Sequence, residues 1–465
     1  MVSFLIDKSV KGEFTSNASF YASSGGQPGV GTDLAKQAFG PISGNRWIQL
    51  IAGLIAMIVI SNYQYAFTLF APGIQKTLAL TSSQYPLVAA IFTIFVLFET
   101  WPVPFAGFLV DKLGIRKLMI LGAMGVLVGW LLGGTIAHSV TELYIYYGAV
   151  AGTGAGIIYV SCVGNAVKWF PDRRGLAAGI TAAGFGGGAA LTIIPISDTI
   201  LRLGWGNAMA VWGVAQGVIA LAAALILRHP PAQWKPVGWK EKEKKITSVV
   251  EQTKLEYPWY KTLKTPDFWL LYIMFTLVAT GGLMTTGNLS QIATSLGVGQ
   301  VAFFGIGIVA LTATLAGITN ALARILWGGI SDKIGREITM TIAFALEAVL
   351  IALVLAIEKN PIAFVLLLPF IFLSWGEIYA LFSAITGDIF GPKNATANYG
   401  MLYTAKGLSS ILAGYGAAAI AAYFAGSFRV PYMISAIFDA VAALAAITVL
   451  RQIVRARISK ENKKS

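Results

Sequence analysis

Apolar residues run through this chain in continuous stretches of about 20, the length an α-helix needs to cross a ~30 Å hydrocarbon core. Twelve such stretches are marked off by short polar turns: roughly 47–70, 87–110, 118–137, 142–167, 175–200, 207–227, 267–289, 302–331, 338–357, 361–389, 397–423 and 430–450. Residues 1–45, with Ser, Gly and Asn around 15–32, read as a flexible tail. Residues 228–266 hold Pro230-Pro231 and the mixed-charge run Lys240 to Lys245, and read as a solvated linker. The predicted organisation is all-α and membrane-integral: a six-helix bundle over 46–227, the linker, a second six-helix bundle over 267–453 and a basic tail over 454–465.

The two bundles repeat a motif. Gly107-Phe-Leu-Val-Asp111-Lys-Leu-Gly-Ile-Arg116 lies between the second and third stretches, and Gly328-Gly-Ile-Ser-Asp332-Lys-Ile-Gly-Arg336 between the eighth and ninth. Asp332 follows Asp111 by 221 residues, close to half the chain. Two repeated halves in a hydrophobic chain imply the plan of a secondary transporter, with a site near the midplane between them. The paired turns resemble the loop 2–3 signature of the major facilitator superfamily, repeated between its helices 8 and 9. Gly107 and Gly328 are expected to let helices approach closely. Asp111 and Asp332 are expected to cap a neighbouring helix or to pair with Arg116 or Arg336 across the interface of the halves, which makes the six residues candidate gating groups.

Charge sharpens the topology. Only 12% of residues are charged, against about 25% in an average soluble protein, and mean hydropathy is +0.71. The net charge of +13 is not a nucleic-acid signal, because 28 of the 34 Lys and Arg fall in the tails and same-side loops. Four lie on the other side (Lys76, Arg202, Lys359, Arg429). That asymmetry puts both termini in the cytoplasm, and the expected location is a plasma membrane, the inner membrane if the cell is bacterial. Residues 1–45 lack the apolar core of a cleavable signal peptide. Cys162 is the only cysteine, and His138 and His229 make no ligand pair, so no disulfide, metal or other cofactor is expected. The Gly-rich runs at 152–156 and 184–188 lack the strand and the Lys-Ser/Thr of a phosphate loop and read as close helix packing. No nucleophile–base constellation is visible, so an enzyme is not expected.

The two remaining cations, Arg324 and Lys406, fall inside helices, as do Glu99 and Glu377. Intramembrane charges need a reason. Either each cation pairs with a buried carboxylate, or the two form an anion site in which Arg324 offers a planar fork and Lys406 a point charge. Tyr399, Tyr403 and Lys406 share one helix face, and Trp375 and Tyr379 stand one turn apart, as aromatic walls for a small carboxylate or as ordinary packing.

Four strings, Ile60-Ser-Asn-Tyr-Gln64-Tyr65, Asn320-Ala-Leu-Ala-Arg324, Ser374-Trp375-Gly-Glu-Ile-Tyr379 and Asn398-Tyr-Gly-Met-Leu-Tyr403-Thr-Ala-Lys406, resemble the oxalate:formate antiporter family, as does Trp169-Phe-Pro-Asp-Arg-Arg174. The likeness runs from about residue 45 to 455, and related monocarboxylate transporters share the last string. It implies a twelve-helix exchanger of small carboxylates that works as a single chain. The family's substrate Arg falls on Arg324, its Lys on Lys406, its helix-1 Gln on Gln64 and its aromatic cage on Tyr65, Tyr159, Trp375 and Tyr379. The chain departs from that pattern at Gly148, where the exchanger has a further Tyr, and at Tyr403, where it has Trp. Glu99 and Glu377 replace small uncharged residues. Those two acids serve charge balance or proton coupling, so three readings stand: carboxylate exchange, proton-coupled symport of a monocarboxylate such as lactate or acetate, and a non-transporting receptor or scaffold.

Overall fold

The computed structural model describes residues 45–454 and 456, apart from 172, 232–233, 235, 237–255, 357–358, 392–393 and the side chain of Arg174. The expected N-terminal tail, most of the linker and most of the C-terminal tail lie outside the described residues.

Ten helical runs among the described residues are long and apolar enough to cross a membrane. One of them, Gly175–Ile226, is 52 residues long and breaks at Gly204 (φ 78°, ψ 162°), so it supplies two crossings. A further helical run, 395–423, is too polar to stand out by hydropathy because Asn398, Lys406, Ser409 and Ser410 interrupt it. The result is the twelve crossings of an all-α membrane protein.

The first half consists of α1 (Arg46–Tyr65) and α2 (Phe67–Thr77), then α3 (Tyr85–Thr100) and α4 (Val103–Leu113), then α5 (Ile115–Thr135). A π-helical turn, Tyr144–Ala151, leads into α6 (Gly152–Trp169), followed by α7 (Arg174–Gly187) and the long α8 (Ile193–Ile226). The second half consists of α9 (Pro266–Ser295), α10 (Ile308–Ile334), α11 (Arg336–Val354), α12 (Pro361–Trp375), α13 (Ile378–Phe390) and α14 (Ala395–Ser410). A π-helical turn, Ile411–Gly416, then joins α14 to α15 (Ala417–Tyr423), and α16 (Arg429–Ala445) closes the bundle.

Local chemistry sets several helix starts. The Asn45 side chain accepts from Trp47 N at 2.9 Å, the Thr265 hydroxyl from Phe268 N at 3.3 Å, and Asn360 from Ala363 N at 3.0 Å. Pro266 and Pro361 occupy first helical positions, where the missing N–H costs nothing. The eighth crossing starts later than the expected 302. Phe304 and Gly305 take positive φ (53° and 78°) and fold Ala302–Phe303 (β1) back on Ile306–Gly307 (β2), so α10 begins at Ile308. The duplicated turn is repeated in backbone geometry as well. Gly114 separates α4 from α5 at φ 90°, and Gly335 separates α10 from α11 at φ 95°, both in the region a Cβ disfavours.

In the first half α1 packs on α6, α7 and α8, and α5 on α8; in the second α10 packs on α12, α11 on α16 and α9 on α14. The halves meet where α3 lies on α14, α7 on α10 and α2 on α9. Large apolar side chains such as Leu201, Phe105 and Ile325 point outward, as a lipid-facing surface requires. Away from the duplicated turns the halves are tied by hydrogen bonds. The Thr93 hydroxyl donates to Ser410 O (2.9 Å), the Tyr85 hydroxyl to Asn288 Oδ1 (3.1 Å), and Ser290 N to Thr68 Oγ1 (2.8 Å). Toward the turns a Cβ on Gly164, Gly179 or Gly400 would meet no neighbouring helix within 4 Å among the described residues.

Candidate functional site

The polar centre lies where the halves meet. α1 ends with Gln64 and Tyr65, α3 with Glu99 and α6 supplies Tyr159, while α10 brings Arg324 and the α12–α13 break brings Trp375 and Tyr379. α14 adds Tyr403 and Lys406, one turn apart. All eight binding residues expected from sequence are buried and drawn together by the contacts that follow.

Lys406 Nζ donates to Gln64 Oε1 at 2.7 Å, to the two Glu99 oxygens at 2.9 and 2.8 Å, and to Tyr403 Oη at 3.2 Å. Both partners of the Glu99–Lys406 pair are fully buried, and the pair joins α3 of one half to α14 of the other. A buried ion pair is tolerated only with such dense hydrogen bonding. The rings of Phe185, Tyr403 and Tyr379 lie 5.2, 5.3 and 5.8 Å from the ammonium.

Arg324 stands differently. Its Nη1 donates to Ala182 O at 2.6 Å, and its guanidinium lies 4.3 Å over the Tyr379 ring. It presses against α7 so closely that a Cβ on Gly186 would come within 2.9 Å of Nε. Nε and Nη2 have no protein partner, and among the described residues no carboxylate pairs with this cation. Gln64 Nε2, Trp375 Nε1 and Tyr379 Oη are likewise buried donors without a protein partner. With Glu99 offsetting Lys406, the centre keeps one uncompensated positive charge and a surplus of donors. That chemistry suits an anion with a planar, two-oxygen group.

Aromatic rings enclose these donors. Tyr159 stacks on Tyr403 (5.2 Å, 9°), Tyr65 and Tyr159 meet Phe185 edge-on at 5.7 and 5.4 Å, and Trp375 meets Tyr379 edge-on at 5.4 Å. Asn320 Nδ2 donates to Tyr65 Oη at 3.0 Å and so links α10 to α1. Sequence reasoning did not pick out Phe185 or Asn320, although both stand in strings that drew attention for other reasons.

Three expectations need correction. Glu377 does not pair with Arg324 or Lys406; its carboxylate oxygens have no partner. Gly148 does not face the site; it lies against α3, where a Cβ would be 2.6 Å from Ile94 Cγ2. Among the described residues the duplicated turns form no ion pair across the halves. Asp111 pairs with Lys168, and Arg116 donates to Leu225 O at 2.8 Å, both within the first half. Arg336 pairs with Asp332 (2.7 Å) one turn away, with Asp388 (3.1 Å), and donates to Ser331 Oγ, all within the second. A Cβ on Gly107 would stand 3.4 Å from Val160 Cγ2, whereas one on Gly328 would meet only Ala380 Cβ, at 4.0 Å, among the described residues. Beside the first turn, burial and then the Lys168 charge hold the His229 imidazole below its usual range, with Nε2 3.3 Å from Val110 O.

Twelve crossings in two halves, a twice-used glycine turn and a charged centre between the halves define a secondary transporter. A sequence profile of the major facilitator superfamily matches residues 50–313 and 284–465. The oxalate:formate antiporter of Oxalobacter formigenes is 34% identical over 411 residues, 88% of this chain and 92% of its own length. An apicoplast pyruvate carrier of Toxoplasma gondii is 23% identical over 67% of this chain and 65% of its own. Human monocarboxylate transporter 14 is 32% identical over 28% of this chain and 25% of its own. The chain belongs to the major facilitator superfamily and, within it, to the oxalate:formate antiporter family, with monocarboxylate transporters as more distant relatives.

Proposed function

We propose that this protein carries small carboxylates across a bacterial inner membrane by alternating access, exchanging one carboxylate for another, with both termini in the cytoplasm. The observation that carries this reading is Arg324: a buried guanidinium with two unpartnered N–H groups, no carboxylate of its own and an aromatic surround. A substrate carboxylate bonds Nε and Nη2 as a planar pair, while Gln64 Nε2, Trp375 Nε1 and Tyr379 Oη supply further donors. Tyr65, Tyr159 and Tyr403 form the walls. Because Glu99 already offsets Lys406, the site favours one ionised carboxylate at a time, formate or one end of oxalate. A second carboxylate group gains a cation only by displacing Glu99 from Lys406. The two Gly-x-x-x-Asp turns act on the conformational cycle, each holding its own half's helix ends by the ion pairs described.

The Glu99–Lys406 contact favours a second reading, proton-linked symport of a monocarboxylate. A substrate carboxylate taking the place of Glu99 on Lys406 leaves the Glu99 oxygens without a cation, and a proton then neutralises them. Uptake of labelled formate, oxalate and lactate into liposomes containing the purified protein separates the readings. Acceleration by internal unlabelled carboxylate at equal pH supports exchange. Uptake that needs an inward proton gradient, and no internal substrate, supports symport. Arg324→Ala protein that transports as well as the parent rules out both.

A further inference from the structure

The second half contains a group of acids that the central site does not use. Glu347 lies in the middle of α11, Asp439 in the middle of α16, and Glu377 at the break between α12 and α13. All three are fully buried, and none of their six oxygens has a hydrogen-bond partner. They lie within electrostatic reach of one another, Glu347 with both Asp439 and Glu377, and Glu377 with Asp439. An independent feature marks the same place. Ser435, one turn before Asp439, is fully buried and its hydroxyl has no partner. It converges with Glu347 on Gly281 of α9, where a Cβ would stand 2.7 Å from Ser435 Oγ and 3.2 Å from Glu347 Oε1.

No cation offsets these acids among the described residues. α12 and the helical turn after α16 contribute no ionisable side chain, and α9 carries only Asp267 and Tyr272, near its start. On α16 itself Tyr432 is bonded to the Thr285 hydroxyl of α9, and Arg429 lies ten residues from Asp439, about 15 Å along the helix. On α10 and α13 Arg324 lies on Tyr379, and Arg336 of α11 is engaged with Asp332 and Asp388. Among the described residues no three His, Cys, Asp or Glu side chains converge as metal ligands. Three bare carboxylates enclosed by apolar helices are far too costly, and such groups neutralise by taking up protons.

We propose that Glu347, Glu377 and Asp439, with Ser435, form a second intramembrane site that binds protons and is coupled to the carboxylate site through the break in the tenth crossing. The coupling rests on the carboxylate-carrier reading above. Its route is short. Trp375 nests on Gly282, next to Gly281, and two residues further on Glu377 belongs to the cluster. Two residues beyond that, Tyr379 underlies Arg324. When a carboxylate engages Arg324, Tyr379 and Trp375, the break moves and so does Glu377. While the half is open to one side a carboxylate of the cluster takes a proton from water there, and once the half has opened to the other side the carboxyl O–H gives that proton to water, leaving a carboxylate.

Infrared difference spectra of the protein in membranes, taken as pH is raised, test the proton site directly. The parent is expected to show a protonated-carboxyl band that loses intensity in Glu347→Gln/Asp439→Asn protein whose thermal unfolding is cooperative. A band unchanged by the double substitution overturns the site. If Gln and Asn prevent folding, the same measurement on Ser435→Ala is expected to shift that band, and an unshifted band overturns the proposal. Liposome uptake tests the coupling: the parent accumulates carboxylate against its gradient when a pH gradient is imposed, and the double variant loses that accumulation. Accumulation that survives in the variant, or that follows a sodium gradient at fixed pH, overturns the coupling. Should the parent bind no carboxylate at all, the carrier reading fails, while the infrared band still decides the proton site.

Discussion

With Lys406 held by both oxygens of Glu99 and Arg324 in no ion pair among the described residues, replacing the two cations is expected to fail in different ways. Arg324→Lys keeps the charge but loses the fork over Tyr379 and against Gly186. One charge-assisted hydrogen bond fewer is worth about 2 kcal/mol, roughly thirtyfold in Kd, which titration of the purified protein with formate measures. Lys406→Gln strands Glu99, and a broken buried pair costs about 3–5 kcal/mol, read as a lower Tm. Adding Glu99→Gln removes the stranded charge and is expected to restore most of that stability; a double variant no more stable than the single would show that the pair is not the cause. At this scale the sequence disclosed which residues carry charge in the membrane but not how they pair. Glu99 and Glu377 looked equivalent as acids in apolar runs, and only the crossing of α3 over α14 gives one of them a cation. Glu347 and Asp439 are legible by the same rule, as acids inside the ninth and twelfth runs, and the sequence offers no sign that they converge.

The tenth crossing illustrates what an element adds to its residues. Two half-helices meet at Gly376–Glu377, and Gly376 permits the approach of α10, since a Cβ there would lie 2.7 Å from both Ala323 Cβ and Asn320 Oδ1. Trp375 is seated on Gly282, where a Cβ would come within 2.2 Å of the indole. Gly282→Ala is therefore expected to push Trp375 off its seat at a cost of about 1–3 kcal/mol and to weaken carboxylate binding, with Arg324 itself untouched. Fluorescence titration of variant against parent checks this. Equal affinity would show that Trp375 does not shape the site. Hydropathy located this crossing well but gave no sign of the break, because Pro361–Trp375 and Ile378–Phe390 read as one apolar run. The reverse holds for residues 395–423, whose polar face made it the weakest hydropathy signal and whose place was legible from the Asn398-to-Lys406 string.

For the molecule as a whole, the twofold plan was legible from one repeated turn, and the Gly114 and Gly335 backbones repeat its geometry. What could not be read was how the halves rest on each other. They are bonded at the end away from those turns, through Thr93, Ser410, Tyr85 and Asn288. At that tie a Cβ on Gly414 would stand 2.2 Å from Thr93 Oγ1. Gly414→Ala is expected to loosen the tied end and shift the population toward the state open on that side. Reporter cysteines placed at each end of the crossings, in a Cys162→Ser background, would register the shift as faster labelling near Gly414 and slower labelling near the duplicated turns. Unchanged labelling at both ends would mean that this contact does not bias the cycle.

The lone charge of Arg324 has an electrical consequence. Between two halves that expose the centre first to one side and then to the other, an empty carrier with Glu99 on Lys406 displaces one net positive charge through part of the membrane field. A full unit of charge is worth about 2.3 kcal/mol per 100 mV. Once a monoanion occupies Arg324, the centre is neutral and its reorientation is indifferent to voltage. An inside-negative potential would then draw the empty carrier toward its cytoplasm-facing state and leave the loaded one alone. Potassium–valinomycin potentials imposed on liposomes are expected to alter net efflux, which requires an empty return, and to leave one-for-one monoanion exchange unaffected.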